Sequence, residues 1–356
     1  MEATASQPRL EPVRPRGLAP RWACVAVAFL LVSLLLGVVS GPVDIGIGPI
    51  LRSLAEHLHL PGATSSLSPT EDAILWQLRV PRVVLGALVG AMLALSGATY
   101  QGVFRNPLAD PYLLGVAAGA GLGATLAIAY LPAGLRGQQV LPLAAFLGGI
   151  AAVAAAYAVG RSAGRERDAA TLILAGVTVA SFFTAVQTFV QQQNNDTLQQ
   201  VYAWILGGLP TSGWSDVWLI LPYVVVSAAV MLMHRRVLDV MSVGDEEAAS
   251  LGMNVKRTRL LLVVAATTGT AAAVAVSGLI AFVGIIVPHA IRLMTGASYR
   301  ALLPLAAIGG AGFLVLADVV ARTALAPAEL PIGIVTAFFG APFFALVLRT
   351  SRAGSR

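Results

Sequence analysis

The sequence is poor in charge. Of 356 residues only 11% are charged, whereas 57% are hydrophobic and the mean hydropathy is +0.81. Soluble globular domains carry about 25% charged residues, so this composition excludes an ordinary soluble enzyme. It also excludes a disordered chain, because Leu, Ala, Val and Ile recur along the whole length. The chain is therefore predicted to be a polytopic membrane protein.

Cysteine and lysine are almost missing. Cys24 is the one cysteine, so an internal disulfide is excluded. Lys256 is the one lysine, and it lies in Val255-Lys256-Arg257 rather than in the Gly-Lys-Ser/Thr motif of a phosphate-binding loop. We therefore expect no ATP site and no other cofactor on this chain, and any energy for work must come from a partner.

Acidic residues and histidines are scarce inside the apolar stretches, where ion-coupled carriers need them to bind and release the ion. The nearest exceptions are Asp318, close to the outer end of the ninth stretch, and His289 in the eighth. An ion-coupled secondary transporter is thus an alternative only if one of these groups is buried and titratable. No His-Glu-x-x-His pattern occurs, so no metal site is expected.

The apolar stretches number about ten, each near the 20 or so residues that cross the hydrocarbon core. The predicted spans are Trp22–Val39, Leu78–Val103, Leu113–Leu131, Val140–Gly160, Ala170–Gln192, Asp216–His234, Thr258–Ser277, Leu279–Thr295, Leu302–Ala321 and Pro331–Leu348. The first is expected to be a retained signal-anchor. We expect an all-α protein with one transmembrane domain over 22–348, between tails at 1–21 and 349–356.

Basic residues orient these spans. If the N-terminus is cytoplasmic and the spans alternate, 18 of the 23 basic residues fall on the cytoplasmic side. Only Arg52, Arg79, Arg82, Arg136 and Arg322 then lie outside. This bias is the one expected of a correct topology, so both tails are predicted to be cytoplasmic and the membrane to be the plasma or inner membrane.

The longest interior cytoplasmic loop contains a delimited polar helix, predicted over about 242–252. Ser242 is expected to cap it, Asp245, Glu246 and Glu247 suit its N-terminal dipole, and Gly252 ends it. Such a helix is either a docking element for a soluble partner or a solvated loop helix, and the pattern does not separate the two.

Three other segments have two interpretations each. Asn106-Pro-Leu-Ala-Asp-Pro111 is a compact turn that serves as a gate or as a rigid connector. Tyr202 and Trp204, in the external segment 191–214, suit an aromatic belt or a short helix at an outer mouth. Arg79, Arg82 and Arg322 at outer span ends are either snorkelling anchors or a basic rim that pairs with carboxylates of an external protein.

Histidines and glycines have simpler interpretations. His57 and His59 in the first external loop are ordinary surface histidines, with haem contact as the alternative. His289 is expected to have a hydrogen-bonded packing role. Glycines four residues apart, at 86 and 90 and at 115, 119 and 123, predict close helix approach rather than a dinucleotide site.

Several segments together resemble the FecCD-type permeases of ATP-binding-cassette importers for ferric siderophores, haem and cobalamin. The matching stretches are Arg79-Val-Pro-Arg82, Ser96-Gly-Ala-Thr-Tyr-Gln101, Asn106-Pro-Leu-Ala-Asp-Pro111, Leu114-Gly-Val, Leu174-Ala-Gly176, Gly244-Asp-Glu-Glu-Ala-Ala-Ser-Leu-Gly252, Gly278-Leu-Ile-Ala-Phe-Val-Gly-Ile-Ile-Val-Pro-His289, Ala317-Asp-Val-Val-Ala-Arg322 and Glu329-Leu-Pro-Ile-Gly-Ile-Val-Thr-Ala-Phe-Phe-Gly-Ala-Pro342. They run in order over roughly 75–349. The resemblance is specific for the family and weak for the cargo.

The resemblance implies ten helices per subunit in the type II importer fold, a dimer of identical or different permeases, and a path along the subunit interface. It implies that two cytoplasmic ATPases carrying ATP and Mg²⁺ dock on the loop helix, and that a binding protein docks outside on arginines matching Arg79, Arg82 and Arg322. The ATPase-coupling residues would be Asp245, Glu246, Glu247, Ser250, Leu251 and Gly252. The gate would include Asn106, Leu108, Ala169, Ala170 and Thr171.

Path-lining residues would come mainly from the fifth and tenth spans and the outer short helix, again by resemblance. The expected cargo is an iron chelate, with a ferric siderophore first, cobalamin second and haem third. A structural membrane scaffold without transport activity is the remaining alternative.

Overall fold

A computed structural model describes residues 19–60, 64–132, 134, 139–162, 169–209 and 213–353. Within them the chain forms fourteen α-helices and a 3₁₀ turn at Asn195–Thr197, and the only β structure is an isolated bridge between Leu325 and Ala328. The helices are α1 Pro20–Val39, α2 Ile47–His57, α3 Pro69–Phe104, α4 Val116–Tyr130, α5 Val140–Ser162, α6 Ala169–Gln193, α7 Leu198–Ile205, α8 Trp214–Met233, α9 Arg235–Met241, α10 Asp245–Ser250, α11 Val255–Ser277, α12 Val283–Thr295, α13 Tyr299–Thr323 and α14 Ile332–Ala353. The all-α prediction is confirmed.

Ten of these helices correspond to the predicted spans. Seven are long and apolar enough to cross a membrane, namely α1, α3, α5, α6, α8, α11 and α13. Three shorter apolar helices, α4, α12 and α14, complete the set. The centre of the bundle is formed by α3 and α11, whose most apolar stretches are each 78% buried, whereas that of α1 is 17% buried and lies at the periphery.

Two span boundaries differ from the prediction. α3 begins at Pro69 rather than near Leu78, because Ser68 and Glu71 form a capping box that starts the helix more than two turns earlier. Its residues Ile74–Arg79 are π-helical. α12 begins at Val283 rather than Leu279, because Gly278 (φ +64°) and Phe282 (φ +70°) hold the intervening backbone out of the helical region.

The segment 278–282 is non-helical backbone inside the bundle. Backbone polar groups at membrane depth need partners within the protein. The Tyr112 hydroxyl supplies two of them, since it donates to the Ile280 carbonyl at 2.9 Å and accepts from the Ile280 amide at 3.1 Å. Gly208 N–H donates to the Ser277 carbonyl at 2.8 Å and joins the outer loop to the end of α11.

Glycines allow the helices to touch backbone to backbone, as their spacing predicts. A Cβ built on Gly90 of α3 would lie 2.2 Å from the Gly310 carbonyl oxygen of α13. A Cβ on Gly119 of α4 would lie 2.2 Å from the Gly148 carbonyl oxygen of α5. The fingerprint-like glycines 119–123 are therefore packing residues, whereas Gly115 has a different role as the left-handed residue before α4.

Candidate functional site

The polar loop helix exists, but it is shorter than predicted. α10 spans Asp245–Ser250 and its N-cap is Gly244. The expectation that Ser242 caps it is wrong, because the Ser242 hydroxyl donates to the Asp239 carbonyl at 2.7 Å at the end of α9. Leu251 is the C-cap, and the next residue, Gly252, adopts φ +81°, the left-handed conformation that commonly ends helices.

The predicted coupling residues of α10 do not share one face. Glu246, Glu247, Ser250 and Gly252 are exposed. Leu251 is also exposed, at 74% of its surface, so a large apolar side chain projects from the cytoplasmic end of the protein. The Asp245 carboxylate instead accepts from Arg259 Nη2 at 2.8 and 2.9 Å. The exposed surface thus combines two carboxylates with an apolar side chain.

The turn 105–115 lies at the same end of the bundle. The Asn106 side chain accepts from the Leu108 amide at 2.9 Å, and Leu108 itself is exposed. Asp110 accepts from the Tyr112 amide at 2.7 Å. Burial raises the pKa of the Asp110 carboxyl to about 6, because this one hydrogen bond only partly offsets the loss of water around the charge.

The other predicted gate residues lie in the first turn of α6. Ala169 is its first residue, Ala170 is exposed, and Thr171 is half-buried in the first turn. Residues 163–168, which precede them, lie outside the described part of the chain.

At the opposite end, five charged residues form an outer cluster: Arg79, Arg82, Asp318, Arg322 and Glu329. Arg79 is 5% exposed, and its guanidinium donates to carbonyls at the end of α1: Val38 at 3.3 Å, Val39 at 3.0 Å, and Val43 just beyond. A cation at a helix C-terminus satisfies carbonyls that lack intrahelical partners and complements the helix dipole. Arg79 therefore caps α1 rather than facing the solvent.

Arg322 has the same role from another helix. It is 5% exposed, donates to the Ser40 carbonyl at 2.8 Å and the Gly37 carbonyl at 3.0 Å, and pairs with Asp318 at 2.9 Å. A basic rim formed by all three predicted arginines at the surface is therefore absent from the described residues.

Arg82 is the arginine of the cluster that reaches a solvent-exposed partner. One side of its guanidinium pairs with Asp318 at 2.9 Å, and the other makes two hydrogen bonds to Glu329, at 2.8 and 3.0 Å. The Asp318 side chain is 2% exposed and that of Glu329 is 49% exposed. The Arg82 hydrogen bonds hold the pKa of the Glu329 carboxyl below its usual range.

A cavity of about 780 Å³ opens beside this cluster. Its lining includes Arg82, Trp204, Asp216, Ser277 and Glu329, together with apolar side chains of several helices. Trp204 belongs to α7, so the short helix expected in the external segment is present and borders a cavity at the outer end.

α6 and α14 present exposed apolar faces, as several other helices do. Phe182 and Phe189 of α6 and Phe338 of α14 are 61–75% exposed. The α6 face also carries four exposed hydroxyl residues, and three of them, Thr178, Ser181 and Thr188, each donate to the carbonyl four residues earlier at 2.9 Å. Neither helix has a charged residue before Arg349. These faces are uncharged, and three of the four exposed hydroxyls of α6 donate within their own helix.

His57 and His289 each pack against an aromatic side chain. His57 stacks on Trp76 with ring centroids 3.8 Å apart. His289 contacts Phe343 edge-on at 5.9 Å, and its buried Nδ1 has no hydrogen-bond partner among the described residues, so the expected hydrogen-bonded role is wrong for that atom. Asp318 is buried as the ion-carrier alternative requires, but two guanidiniums compensate its charge.

The sequence matches the model of the FecCD transport family over residues 29–350. The chain belongs to this family. As a FecCD permease it is a multi-pass protein of the plasma membrane and a transmembrane subunit of an ATP-binding-cassette importer. Such a subunit is not itself catalytic.

Relatives of this FecCD permease are named for different cargoes. It is 45% identical over 280 residues, 79% of this chain and 74% of the relative, to the cobalamin import system permease protein BtuC of Halobacterium salinarum. It is 40% identical over 288 residues, 79% of this chain and 85% of the relative, to the hemin transport system permease protein HmuU of Yersinia pestis. The ABC transporter permease YvrB of Bacillus subtilis is 40% identical over 335 residues, 93% of this chain and 94% of its own length.

A solved structure confirms the fold of the FecCD permease. It is described as an inward-facing conformation of a metal-chelate type ABC transporter. The two chains are 28% identical, with a TM-score of 0.81, and the match covers 93% of this chain and 100% of the other. The ten-helix type II importer fold is therefore shown.

Two site residues had no separate signal in the sequence. Arg259 lies in a basic run at the start of α11, where it resembles a positive-inside residue rather than a partner of Asp245. Glu329 lies in a matched family motif, but its pairing with Arg82 joins residues 247 positions apart.

Proposed function

We propose that this chain is the permease subunit of an ATP-driven importer that passes a large metal complex from an external binding protein to the cytoplasm. The proposal rests on the presence of two exposed surfaces in one chain. One is a face with carboxylates and a leucine on α10, and the other is an uncharged face on α6 and α14. The first suits a soluble partner, and the second suits a passage.

ATPase subunits with bound ATP and Mg²⁺ would contact the exposed face of α10. Glu246, Glu247, Ser250, Leu251 and Gly252 form this face, and Leu251 is the apolar anchor at its end. The contact would bury the side chain of Leu251, and the polar groups around it would form the rim.

A second permease subunit, identical or different, would cover the faces of α6 and α14 and leave a passage between the two copies, with α7 at its outer mouth. Hydroxyls that already donate to their own helix do not hold a passing molecule strongly. Asn106, Leu108 and residues 169–171 would narrow the passage at its cytoplasmic end.

The external binding protein would meet the outer cluster through Arg82. Arg79 and Arg322 support this contact indirectly, because they fix the end of α1 beside it. A carboxylate of the binding protein would compete with the exposed Glu329 for the guanidinium of Arg82, and this contact gains little affinity but sets orientation and association rate.

Cobalamin is the cargo that we place first, haem second and a ferric siderophore third. The similarity to relatives named for cobalamin and hemin import supports this order, and α6 and α14 carry no charge before Arg349. A wall without fixed charge suits a bulky complex that is recognised by the binding protein rather than by the passage.

Whole-cell uptake tests the proposal. We expect a strain lacking this permease to lose uptake of ⁵⁷Co-cyanocobalamin, and plasmid-borne permease to restore it. Parallel assays with labelled haem and a labelled ferric hydroxamate identify the cargo if cobalamin uptake is unchanged. No change for any of the three would refute the proposed importer function.

A charge reversal tests the ATPase contact. Glu246→Arg with Glu247→Arg should abolish uptake while leaving the permease folded in the membrane. The matched control is Asp196→Arg, which reverses an exposed charge at the opposite end of the bundle. Normal uptake by the double variant would contradict the role of α10.

A further inference from the structure

Asp245 is the residue of the α10 surface whose side chain points towards the rest of the permease. Its carboxylate is half-buried and accepts two hydrogen bonds from Arg259 of α11, at 2.8 and 2.9 Å. Arg105 Nη2 lies 3.7 Å from the same carboxylate. Glu246 and Glu247, which follow directly in the sequence, are exposed. The carboxylate is thus directed towards Arg259 inside the permease and is paired with Arg105 beside it, which leaves it less available to an ATPase.

These contacts join three separate elements. Arg259 belongs to α11, one of the two central helices. Arg105 is the residue that ends α3, and it adopts a left-handed conformation (φ +50°) that is costly for a side chain other than glycine. The backbone at Arg105 sets the direction of the turn 106–115, so the carboxylate lies between α10, a core helix and the start of that turn.

The turn is itself rigidly held, so that a displacement at Arg105 would travel along it. Asn106 N–H donates to the Gln101 carbonyl at 3.1 Å, and the Asn106 side chain accepts from Leu108 N–H at 2.9 Å. Further along, Tyr112 is bonded to Ile280 between α11 and α12. The contiguous path thus runs from α10 through a charge pair to the turn and then to the broken segment 278–282.

We propose that Asp245 is a positioning residue that links α10 to Arg259 and Arg105, and so passes movements of α10 to the turn 106–115. The inference rests on the proposed function, because it assumes that an ATPase moves α10. It removes Asp245 from the ATPase contact and gives it a role inside the permease.

The exposure of the three side chains makes this role separable from folding. Arg105 is 44% exposed, Asp245 39% and Arg259 12%. The exposed pair with Arg105 contributes little to stability, asparagine keeps an acceptor oxygen for Arg259, and Glu246 and Glu247 still complement the dipole of α10 when residue 245 is neutral. Asp245→Asn is therefore expected to fold and to bind the ATPase.

The test is hydrogen–deuterium exchange of the permease–ATPase complex in lipid nanodiscs, with and without ATP and vanadate. In the wild type we expect the ATPase to protect peptides from α10, and nucleotide to change exchange in the turn 106–115. Asp245→Asn should keep the protection of α10 but lose most of the nucleotide response in the turn, at least threefold. Asp245→Glu should restore part of it.

Asp239→Asn is the matched control. Asp239 lies at the same end of the bundle and pairs with Arg300 at 3.3 Å, and it also accepts from Ser298 and Tyr299, but none of these belongs to α10 or the turn. This variant should keep the nucleotide response of the turn. Arg259→Gln should resemble Asp245→Asn, and combining the two should add nothing, as expected for partners in one interaction.

Three results overturn the inference alone: a full response of the turn in Asp245→Asn, loss of α10 protection in that variant, or an equal loss in Asp239→Asn. If wild-type α10 is not protected by the ATPase, the proposed function fails and the inference falls with it. The two failures are distinct because the second does not involve a variant.

Discussion

Replacing Asp318 by asparagine removes the carboxylate that the guanidiniums of Arg82 and Arg322 share. The carboxylate is 2% exposed and lies 2.9 Å from Nη2 of Arg82 and 2.9 Å from Nε of Arg322. Asparagine preserves the size and one acceptor oxygen, but it leaves both cations without their buried counter-charge. The variant thus isolates the charge of a side chain that is otherwise completely packed.

The magnitude follows from what each arginine retains. Removing one partner of a buried ion pair costs about 3–5 kcal/mol, because the remaining charge is left uncompensated. Arg82 keeps Glu329 and Arg322 keeps two carbonyls, so we expect the lower end, about 3 kcal/mol, or more than a hundredfold in the folding equilibrium. Glu329→Gln removes the exposed partner of Arg82 and should cost about 1 kcal/mol or less.

The free energies are measurable by reversible unfolding of the purified permease in mixed detergent micelles, followed by tryptophan fluorescence. Trp76 and Trp214 lie close to the outer end, where Trp214 Nε1 donates to the Trp76 carbonyl at 2.9 Å. A loss for Asp318→Asn no larger than that for Glu329→Gln would refute the reasoning. An unchanged stability together with loss of proton-dependent uptake would favour the ion-coupled carrier instead.

Three further predictions concern docking, packing and pH. Arg82→Glu should weaken binding of the external binding protein, more strongly at low salt, as measured by surface plasmon resonance. Gly119→Ala should destabilise the permease by about 1–3 kcal/mol in the same unfolding assay, because its Cβ would overlap the Gly148 carbonyl, whereas Gly134→Ala, with nothing within 4 Å, should have little effect. Asp110→Asn should raise the melting temperature above pH 6 but not near pH 4. The folded pKa of Asp110, about 6, exceeds its ordinary value of 3.8, so the folded state binds the proton more tightly and its stability falls as pH rises between these values.

Each of these has a clear contrary result. If the Arg82→Glu variant binds the external binding protein as tightly as wild type at every salt concentration, the role of Arg82 is structural alone. Equal effects at the two glycines would mean that close approach of α4 and α5 is not what Gly119 provides. A melting difference for Asp110→Asn that is independent of pH would show that the buried charge is not its cause.

The spans and the loop helix could be predicted because their signals are local. An apolar run of sufficient length specifies a membrane helix without reference to the rest of the chain. Acidic residues followed by Gly252 likewise predicted a short helix, and its C-terminal end was right to within a residue or two. The start was misplaced at Ser242 because two short helices, α9 and α10, share this loop, and Ser242 bonds within the first.

The direction of the charged side chains could not be predicted, because it depends on distant partners. Arg79 bonds carbonyls 36–41 positions earlier, and Arg82 bonds Asp318 236 positions later. Arginine at a span end has the same local pattern whether it snorkels, docks a partner or caps another helix. Only the packing of α1, α3 and α13 decides among these three roles, and no local sequence pattern indicates that packing.

The capping of α1 by Arg322 also imposes an order on biosynthesis. Ser40 and Arg322 are 282 positions apart, so ribosomes that add about 5–20 residues per second need roughly 15–60 s between making the two. Throughout that interval the carbonyls at the outer end of α1 depend on water and on Arg79. The end of the first helix to enter the bilayer is therefore capped by a residue of one of the last, and a chain truncated before Arg322 leaves the Gly37 and Ser40 carbonyls without this donor.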